Sequence, residues 1–156
     1  MNRLKVALFV ACLASNGCGL LISDTYQTER YQVIHEATLN GERAKMNQML
    51  DARPSLIKVA DYDENTLLHL AVLRDQIGEV EDLLTRHANV NATNSVGMTP
   101  LHLAAKLNRI EATKLLLAHK PDFSIRDRRG WTALTWATKS HHDKIAALLE
   151  KAGARD

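Results

Sequence analysis

The sequence predicts an all-α solenoid in which about four pairs of short helices stack on one another. Three segments of one pattern recur at a fixed spacing: Thr66, Thr99 and Thr132 begin TLLHLAV, TPLHLAA and TALTWAT at intervals of 33 residues. A weaker copy, QVIHEAT, occupies 32–38, and apolar, mostly leucine-rich segments follow the copies at matching distances. One such repeat is too short to bury its apolar face alone, so the repeats are expected to stack.

The composition fits one globular domain and excludes several other classes of protein. The 156 residues are 46% hydrophobic and 24% charged, with seven Gly, three Pro and two Cys. These values exclude collagen, a low-complexity chain and a disulfide-stapled miniprotein. Lys and Arg number 20 against 18 Asp and Glu, and this near balance argues against a whole-domain surface for nucleic acid.

Residues 1–17 have the layout of a secretory signal peptide. Arg3 and Lys5 precede nine consecutive apolar residues at 6–14, and small polar residues follow. The apolar run is too short to cross about 30 Å of hydrocarbon. The small residues before Cys18 resemble the lipobox of bacterial lipoproteins, in which the Cys becomes the lipidated N-terminus.

The lipobox resemblance favours lipidation of Cys18, while cleavage with release of the chain, or an uncleaved anchor, stay open as alternatives. Gly19 follows the Cys where an Asp would imply the inner membrane, so the resemblance implies the outer membrane. Residues 18–26 would then be a short tether. Because Arg3 and Lys5 lie in the signal, the mature chain has a net charge of zero, whereas the whole sequence has +2.

Each TPLHLAA-type segment is predicted to form a first helix that its Thr caps. Pro100 suits the first helical position because no hydrogen-bond donor is needed there. These helices should end at residues that tolerate a left-handed backbone, and the equivalent positions hold Gly41, Asp75, Asn108 and His141. The second helices carry the apolar faces, which comprise Met46, Met49 and Leu50; Val80, Leu83 and Leu84; Leu115, Leu116 and Leu117; Ile145, Leu148 and Leu149.

The 33-residue period and the T-P-L-H-x-A pattern resemble the ankyrin repeat over residues 27–156. The matching units are 27–60, 61–93, 94–126 and 127–156. The resemblance implies that each unit is a hairpin finger followed by two antiparallel helices. The sequence departs from the family at turn positions where Gly is usual, which hold Arg30, Arg53, Glu64, His87 and Lys120.

Residues that suggest catalysis or metal binding are better explained by the repeat. One histidine position recurs in three repeats and is occupied by His35, His69 and His102. The resemblance implies that the histidine at this position hydrogen-bonds the backbone of neighbouring turns. The adjacent His141 and His142 point apart on a helix, which disfavours a zinc site. The acidic run 61–65 lacks the glycine and the distal Glu of a calcium loop. With neither a G-x-S-x-G nor a P-loop motif, the sequence predicts no enzyme, no cofactor and no metal.

The resemblance implies that the finger tips and the inner face of the first helices bind a protein partner. The matching finger residues are Tyr62, Asp63, Asn65, Ser95, Val96, Met98, Arg128, Arg129 and Trp131. The matching helical residues are Leu73, Arg74, Lys106, Leu107, Lys139 and Ser140. Exposed Trp, Tyr, Met and Arg are typical of interfaces. Packing between repeats is the alternative for some of them, and Trp136, at the position of Leu70 and Leu103, is predicted to be core.

We therefore expect an exported, monomeric binding module, lipid-anchored to the outer membrane and facing the bacterial periplasm. An immunity protein against a toxin enzyme, such as a phospholipase, or a stress-protection protein would fit by resemblance. A self-associating structural envelope protein is the alternative from another class. Residues 18–93 carry a net charge of −5 and residues 94–156 a net charge of +5. Because a solenoid lays its sequence out in space, this split predicts an acidic first finger region and a basic last one around Arg126, Arg128 and Arg129.

Overall fold

The structure is a computed structural model that describes residues 32–155. The predicted signal peptide, the tether and Cys18 lie outside the described residues. Within residues 32–155, no helix is both long enough and apolar enough to cross a bilayer.

The described chain consists of short helices joined by tight turns. Helix α1 covers residues 32–40, α2 Arg43–Ala52, α3 Leu67–Leu73, α4 Ile77–Thr85, α5 Pro100–Lys106, α6 Ile110–Ala118, α7 Ala133–Lys139 and α8 Asp143–Lys151. A 3₁₀ helix, Pro54–Lys58, follows α2. No strand is present in residues 32–155, where Ala60 and Thr66 form an isolated bridge. The prediction of an all-α repeat solenoid is confirmed.

The helices pack in two layers. The first helices α3, α5 and α7 contact one another in sequence, and the second helices α2, α4, α6 and α8 do the same. Each first helix also packs on the second helix of its own repeat. The alanines of the first helices allow this close approach, because Ala71, Ala104, Ala105 and Ala137 are fully buried. One continuous core therefore runs through the stack, as expected for a repeat protein.

Threonine caps position the first helices. Thr66, Thr99 and Thr132 are all extended, and each donates its backbone N–H to the side chain three residues later, which is His69, His102 or Thr135. Thr99 and Thr132 also accept the backbone N–H of that third residue. These reciprocal bonds satisfy N–H groups that the start of a helix otherwise leaves without partners.

Left-handed residues end the helices, as predicted. At the ends of the first helices φ is +72° at Gly41, +59° at Asp75 and Asn108, and +57° at His141. Where the ankyrin resemblance would place Gly, Glu64, His87 and Lys120 also adopt positive φ, between 51° and 63°. A side chain with a Cβ is strained in this region by roughly 1–2 kcal/mol. The turns of this protein therefore contain avoidable strain.

Replacing His87 with Gly should stabilise the fold. His87 is exposed and its side chain forms none of the hydrogen bonds of the described residues, so little is lost with the imidazole. Relief of the Cβ strain exceeds the added entropy of an unfolded Gly, and the net gain should be about 0.5–1 kcal/mol. Urea unfolding measures the change, with His87→Ala as the matched control. If Ala raises stability as much as Gly does, the imidazole rather than the backbone is responsible.

Polar side chains tie each repeat to the one before it. Gln76 Nε2 donates to the Leu39 carbonyl at 3.3 Å, and Arg109 Nη2 donates to the Leu73 carbonyl at 3.2 Å. His142 Nδ1 lies 2.8 Å from the oxygen of Ala105 and donates to it, because a carbonyl only accepts. The three donors are spaced 33 residues apart and precede a second helix each time. Sequence reasoning did not single out this role, because Gln, Arg and His share no obvious pattern.

Candidate functional site

Three finger turns with one internal hydrogen-bond pattern form an edge of the stack. They comprise residues 61–65, 94–98 and 127–131, and each begins with Asp or Asn. Its side-chain Oδ1 accepts two backbone N–H groups: those of Asp63 and Asn65, of Val96 and Met98, and of Arg129 and Trp131. Each first residue also donates its own N–H to the carbonyl of the fifth at 3.0 Å. The turns are therefore rigid frames that present the intervening side chains.

Backbone hydrogen bonds join neighbouring finger turns. Ser95 donates its N–H to the carbonyl of Asp63 at 2.8 Å, and Arg128 donates to the carbonyl of Val96 at 3.0 Å. The turns approach so closely at Gly97 that a Cβ there would lie 3.1 Å from the Arg128 nitrogen. The turns thus form a continuous edge whose spacing is set by main-chain contacts.

Buried histidines connect the first helices to this edge. His69 Nε2 lies 2.9 Å from the Met98 oxygen, and His102 Nε2 lies 3.1 Å from the Trp131 oxygen. A carbonyl only accepts, so each Nε2 carries a hydrogen and donates it. Each Nδ1 in turn accepts the N–H of its N-cap threonine. The neutral ring satisfies both contacts, which confirms the predicted structural role of these two histidines.

Protonation of these rings should destabilise the fold. Burial lowers the pKa of His69 and of His102 below the usual value, although hydrogen bonds to the Met98 and Trp131 carbonyls oppose the shift. The unfolded chain then binds more protons, so the free energy of unfolding should fall as pH drops below about 6.5. Each histidine contributes a slope of at most about 1.4 kcal/mol per pH unit.

Urea unfolding between pH 8 and pH 5 measures this slope, above the range in which carboxylates titrate. The double variant His69→Gln/His102→Gln removes both titrating rings, and its stability should depend less on pH. The double variant His87→Gln/His119→Gln, at exposed positions, is the control and should match the wild type. Equal slopes in all three proteins would contradict the prediction.

Two tryptophans and two cations cluster beside the 127–131 turn. Trp131 and Trp136 pack edge to face, with ring centroids 4.8 Å apart and an interplanar angle of 70°. The Cζ of Arg129 lies 5.5 Å from both ring centroids, and Lys106 Nζ lies 4.8 Å from that of Trp136. These distances are those of cation–π interactions. We call Lys106, Arg129, Trp131 and Trp136 the cation–indole cluster.

The Asp127 side chain holds this cluster in place through hydrogen bonds. Its Oδ2 accepts the Trp136 indole N–H at 2.8 Å, while its Oδ1 accepts the N–H groups of Arg129 and Trp131. Burial disfavours its charged form, but donation from the Trp131 backbone and the Trp136 indole prevails and lowers its pKa. The carboxylate is therefore ionised, and both of its oxygens accept hydrogen bonds.

Most of the residues predicted to bind a partner are accessible. Tyr62 is 92% exposed, Val96 46% and Leu73 39%. Asp63, Arg74, Lys106, Arg128, Arg129 and Lys139 are exposed as well. Asn65, Leu107 and Trp131 are half-buried. The Asn65 side chain stabilises the finger turns, since its amide donates to Asp61 of its own turn and its oxygen accepts from Asn94 of the next.

The expectation that Met98 is exposed was wrong. Its side chain is 4% exposed and belongs to the core, while its N–H and carbonyl are held by Asn94 and His69. As the last residue of its turn it points toward the helices. Trp136, by contrast, is buried as its equivalence to Leu70 and Leu103 predicted.

The described residues offer no arrangement suited to a metal. Among residues 32–155, no three His, Cys, Asp or Glu side chains converge in a way that could hold an ion. His142, suspected because of its histidine and aspartate neighbours, bonds the Ala105 carbonyl.

Comparison with known proteins agrees with this geometry. The family model described as ankyrin repeats (3 copies) matches residues 68–155, which is more than half of the chain. The chain belongs to the ankyrin-repeat family. It is 32% identical over 118 residues to inversin from Gallus gallus, and this match covers 76% of this chain and 11% of inversin. It is 33% identical over 124 residues to the human transient receptor potential cation channel subfamily A member 1. This match covers 78% of this chain and 11% of the channel subunit.

A third ankyrin relative is viral. An ankyrin repeat protein of Fowlpox virus (strain NVSL) is 43% identical over 90 residues, which cover 54% of this chain and 26% of the viral protein. The matched residues thus span a small part of the relatives named here. These relatives are animal and viral proteins. They support the ankyrin fold and its general use in protein binding.

Charge is distributed unevenly along this ankyrin stack. Residues 32–93 hold six Lys and Arg against ten Asp and Glu, whereas residues 94–155 hold eleven against five. The exposed Tyr62, Asp63 and Glu64 mark the acidic finger turn, and Arg128 and Arg129 mark the basic one. A partner that approaches the stack therefore meets opposite potentials at its two ends.

Proposed function

We propose that this chain is a protein-binding module whose finger turns and first helices contact a protein partner in a bacterial envelope. One contrast supports the proposal. Salt bridges of the described residues occur mainly on the second helices, where Arg43 binds Asp82, Lys45 binds Glu42, Arg86 binds Asp51 and Lys114 binds Glu111. The cations on the first helices and the 127–131 turn have no such partner in residues 32–155: Lys106, Arg128, Arg129 and Lys139.

In the first three repeats this contrast separates a face whose cations are paired from one whose cations are not. The cations of α2 and α6, and Arg86 at the end of α4, form salt bridges, whereas Lys144 and Lys151 of α8 join none within residues 32–155. Such exposed pairs contribute only about 0–1 kcal/mol each. The other face keeps its charges and its exposed Tyr62, Leu73 and Val96 available. Rigid turns hold these side chains in place, which lowers the entropy lost on binding. A preorganised surface of Tyr, Arg and apolar groups suits a protein partner.

The sequence supports placing this module outside the cytoplasm. Residues 1–17 have the layout of a signal peptide, and Cys18 stands where a lipoprotein is lipidated. We expect the full chain to take up a labelled fatty acid in its host and Cys18→Ser to take up none. A wild-type chain without label would contradict the lipid anchor but leave the binding proposal intact.

Within this proposal, an immunity or inhibitor role toward a toxin enzyme of the periplasm fits a binding face without catalytic residues. A stress-protection role would use the same face. Co-expression distinguishes the two: where a neighbouring gene encodes an exported toxin, the chain should restore growth to cells that produce that toxin. No rescue, together with sensitivity of a deletion strain to oxidants, would favour stress protection.

Photo-crosslinking tests the binding face directly. A photoreactive amino acid replaces Val96 or Tyr62 in the full chain, and the matched controls replace Glu81 or Lys144, which are exposed on second helices. A discrete crosslinked protein should form from the finger-turn positions and not from the controls. Equal crosslinking from both faces, or none from Val96 and Tyr62, would overturn the proposal.

A further inference from the structure

The cation–indole cluster holds two cationic side chains on one indole, and neither forms a salt bridge within residues 32–155. Lys106 and Arg129 both lie over the Trp136 ring, at 4.8 and 5.5 Å from its centroid. The ionised Asp127 directs its oxygens to two backbone N–H groups and the Trp136 indole, not to either cation. Two cations against one carboxylate leave the cluster with an excess of positive charge, and both cationic groups are available to a ligand.

The indoles make this arrangement selective as well as positive. They confine the Lys106 ammonium and the Arg129 guanidinium near the ring faces, so both donors are held before a ligand arrives. Arg129 presents a planar fork that suits a carboxylate, and Lys106 adds a point charge beside it. Half-buried Trp131 and exposed Val96, on adjoining finger turns, offer apolar surface next to these donors.

We propose that the cation–indole cluster binds an acidic polypeptide segment of the protein partner, whose carboxylates contact Lys106 and Arg129. The inference rests on the proposed protein-binding function and names the chemistry of the partner. The acidic half of the chain repels such a segment, so it lies along the 94–98 and 127–131 turns and away from the 61–65 turn. A long phosphate backbone fits less well, because the basic surface is short and the whole sequence carries only +2.

Intrinsic fluorescence reports on this site without a label. Trp131 and Trp136 are the two tryptophans of the sequence, and both belong to the cluster. The probe is a short peptide of alternating Glu and Ser, titrated into the full chain, and its analogue with Gln in place of Glu is the uncharged control. We expect the Glu peptide to change the emission and to bind at least about tenfold more tightly than the Gln peptide, since two charge-assisted contacts are lost.

Single substitutions identify the residues responsible. Lys106→Ala and Arg129→Ala should each weaken binding of the Glu peptide at least about fivefold, while Arg129→Lys should retain part of it. Lys144→Ala removes the same charge from the exposed face of α8 and should change the affinity less than about twofold, as expected for a remote charge in salt. High salt should weaken binding by the wild type. Urea unfolding of each variant verifies that the fold is intact.

Several results would overturn the inference. They are equal binding of the Glu and Gln peptides, an equal loss in Lys144→Ala, or tighter binding of a short DNA duplex or of phosphatidylglycerol vesicles. Sedimentation that shows self-association abolished by Arg129→Glu would instead identify the acidic 61–65 turn of a second copy as the occupant. If crosslinking through Val96 still captures a partner in any of these cases, protein binding stands and only the acidic segment is wrong.

Discussion

Replacement of Leu116 with Ala should lower the free energy of unfolding by about 2–5 kcal/mol. Leu116 is fully buried in α6, between the second helices of the neighbouring repeats. The substitution removes apolar contacts and leaves a cavity that close-packed helices on both sides can fill only in part. Whole domains are stable by about 5–15 kcal/mol, so the loss is a large share of the total.

Urea unfolding followed by circular dichroism measures this loss. Leu73→Ala is the matched control, because the same side chain is 39% exposed at the end of α3. Its effect should stay within about 0.5 kcal/mol. A repeat protein is coupled through neighbour interfaces, so Leu116→Ala should also broaden the transition as the last repeat separates from the rest. Similar effects from both substitutions would contradict the described core.

Replacement of Asp127 with Ala should destabilise the fold by about 3 kcal/mol, because it leaves three donors without their acceptor and each costs about 1–3 kcal/mol when buried. The donors are the N–H groups of Arg129 and Trp131 and the indole of Trp136. The lower end of the range applies because solvent reaches part of the turn. Trp emission should shift to longer wavelength as Trp136 loses its bond and its packing.

Asp127→Asn distinguishes the contribution of the two backbone hydrogen bonds that hold the turn from that of the hydrogen bond to the Trp136 indole. Asn94 occupies the equivalent position and holds its own turn through Oδ1, so Asn at 127 should keep the two backbone contacts. Its amide N–H₂ cannot accept the Trp136 indole, and the loss should be about 1 kcal/mol. If Asn and Ala destabilise equally, the indole bond rather than the turn frame would account for the whole effect.

Much of the fold could be predicted from the sequence because its causes are local. The threonine caps, Pro100 at the start of α5 and the left-handed ends at Asp75, Asn108 and His141 each depend on a few consecutive residues. The 33-residue period then allowed each feature recognised in one repeat to be assigned to the equivalent position of the others. The same equivalence correctly placed Trp136 in the core and gave His69 and His102 their roles.

The binding face was harder to predict, since exposure depends on what an adjacent repeat covers. Met98 matched a finger position, yet the packing of its turn buries it. The pairing of Lys106 with Trp136 joins residues 30 positions apart on different repeats, which no local pattern indicates. The links from Gln76, Arg109 and His142 were missed for the same reason.

By itself, the sequence determined the repeat, the ends of the first helices and the overall division of charge, because periodicity, capping and composition are properties of the chain. Only the tertiary structure decided which charges are neutralised and which stay available. Salt bridges between second helices and the cation–indole cluster beside the last finger turn both form between repeats. Their geometry arises when helices stack, and side chains remote in sequence then come within a few ångströms of one another.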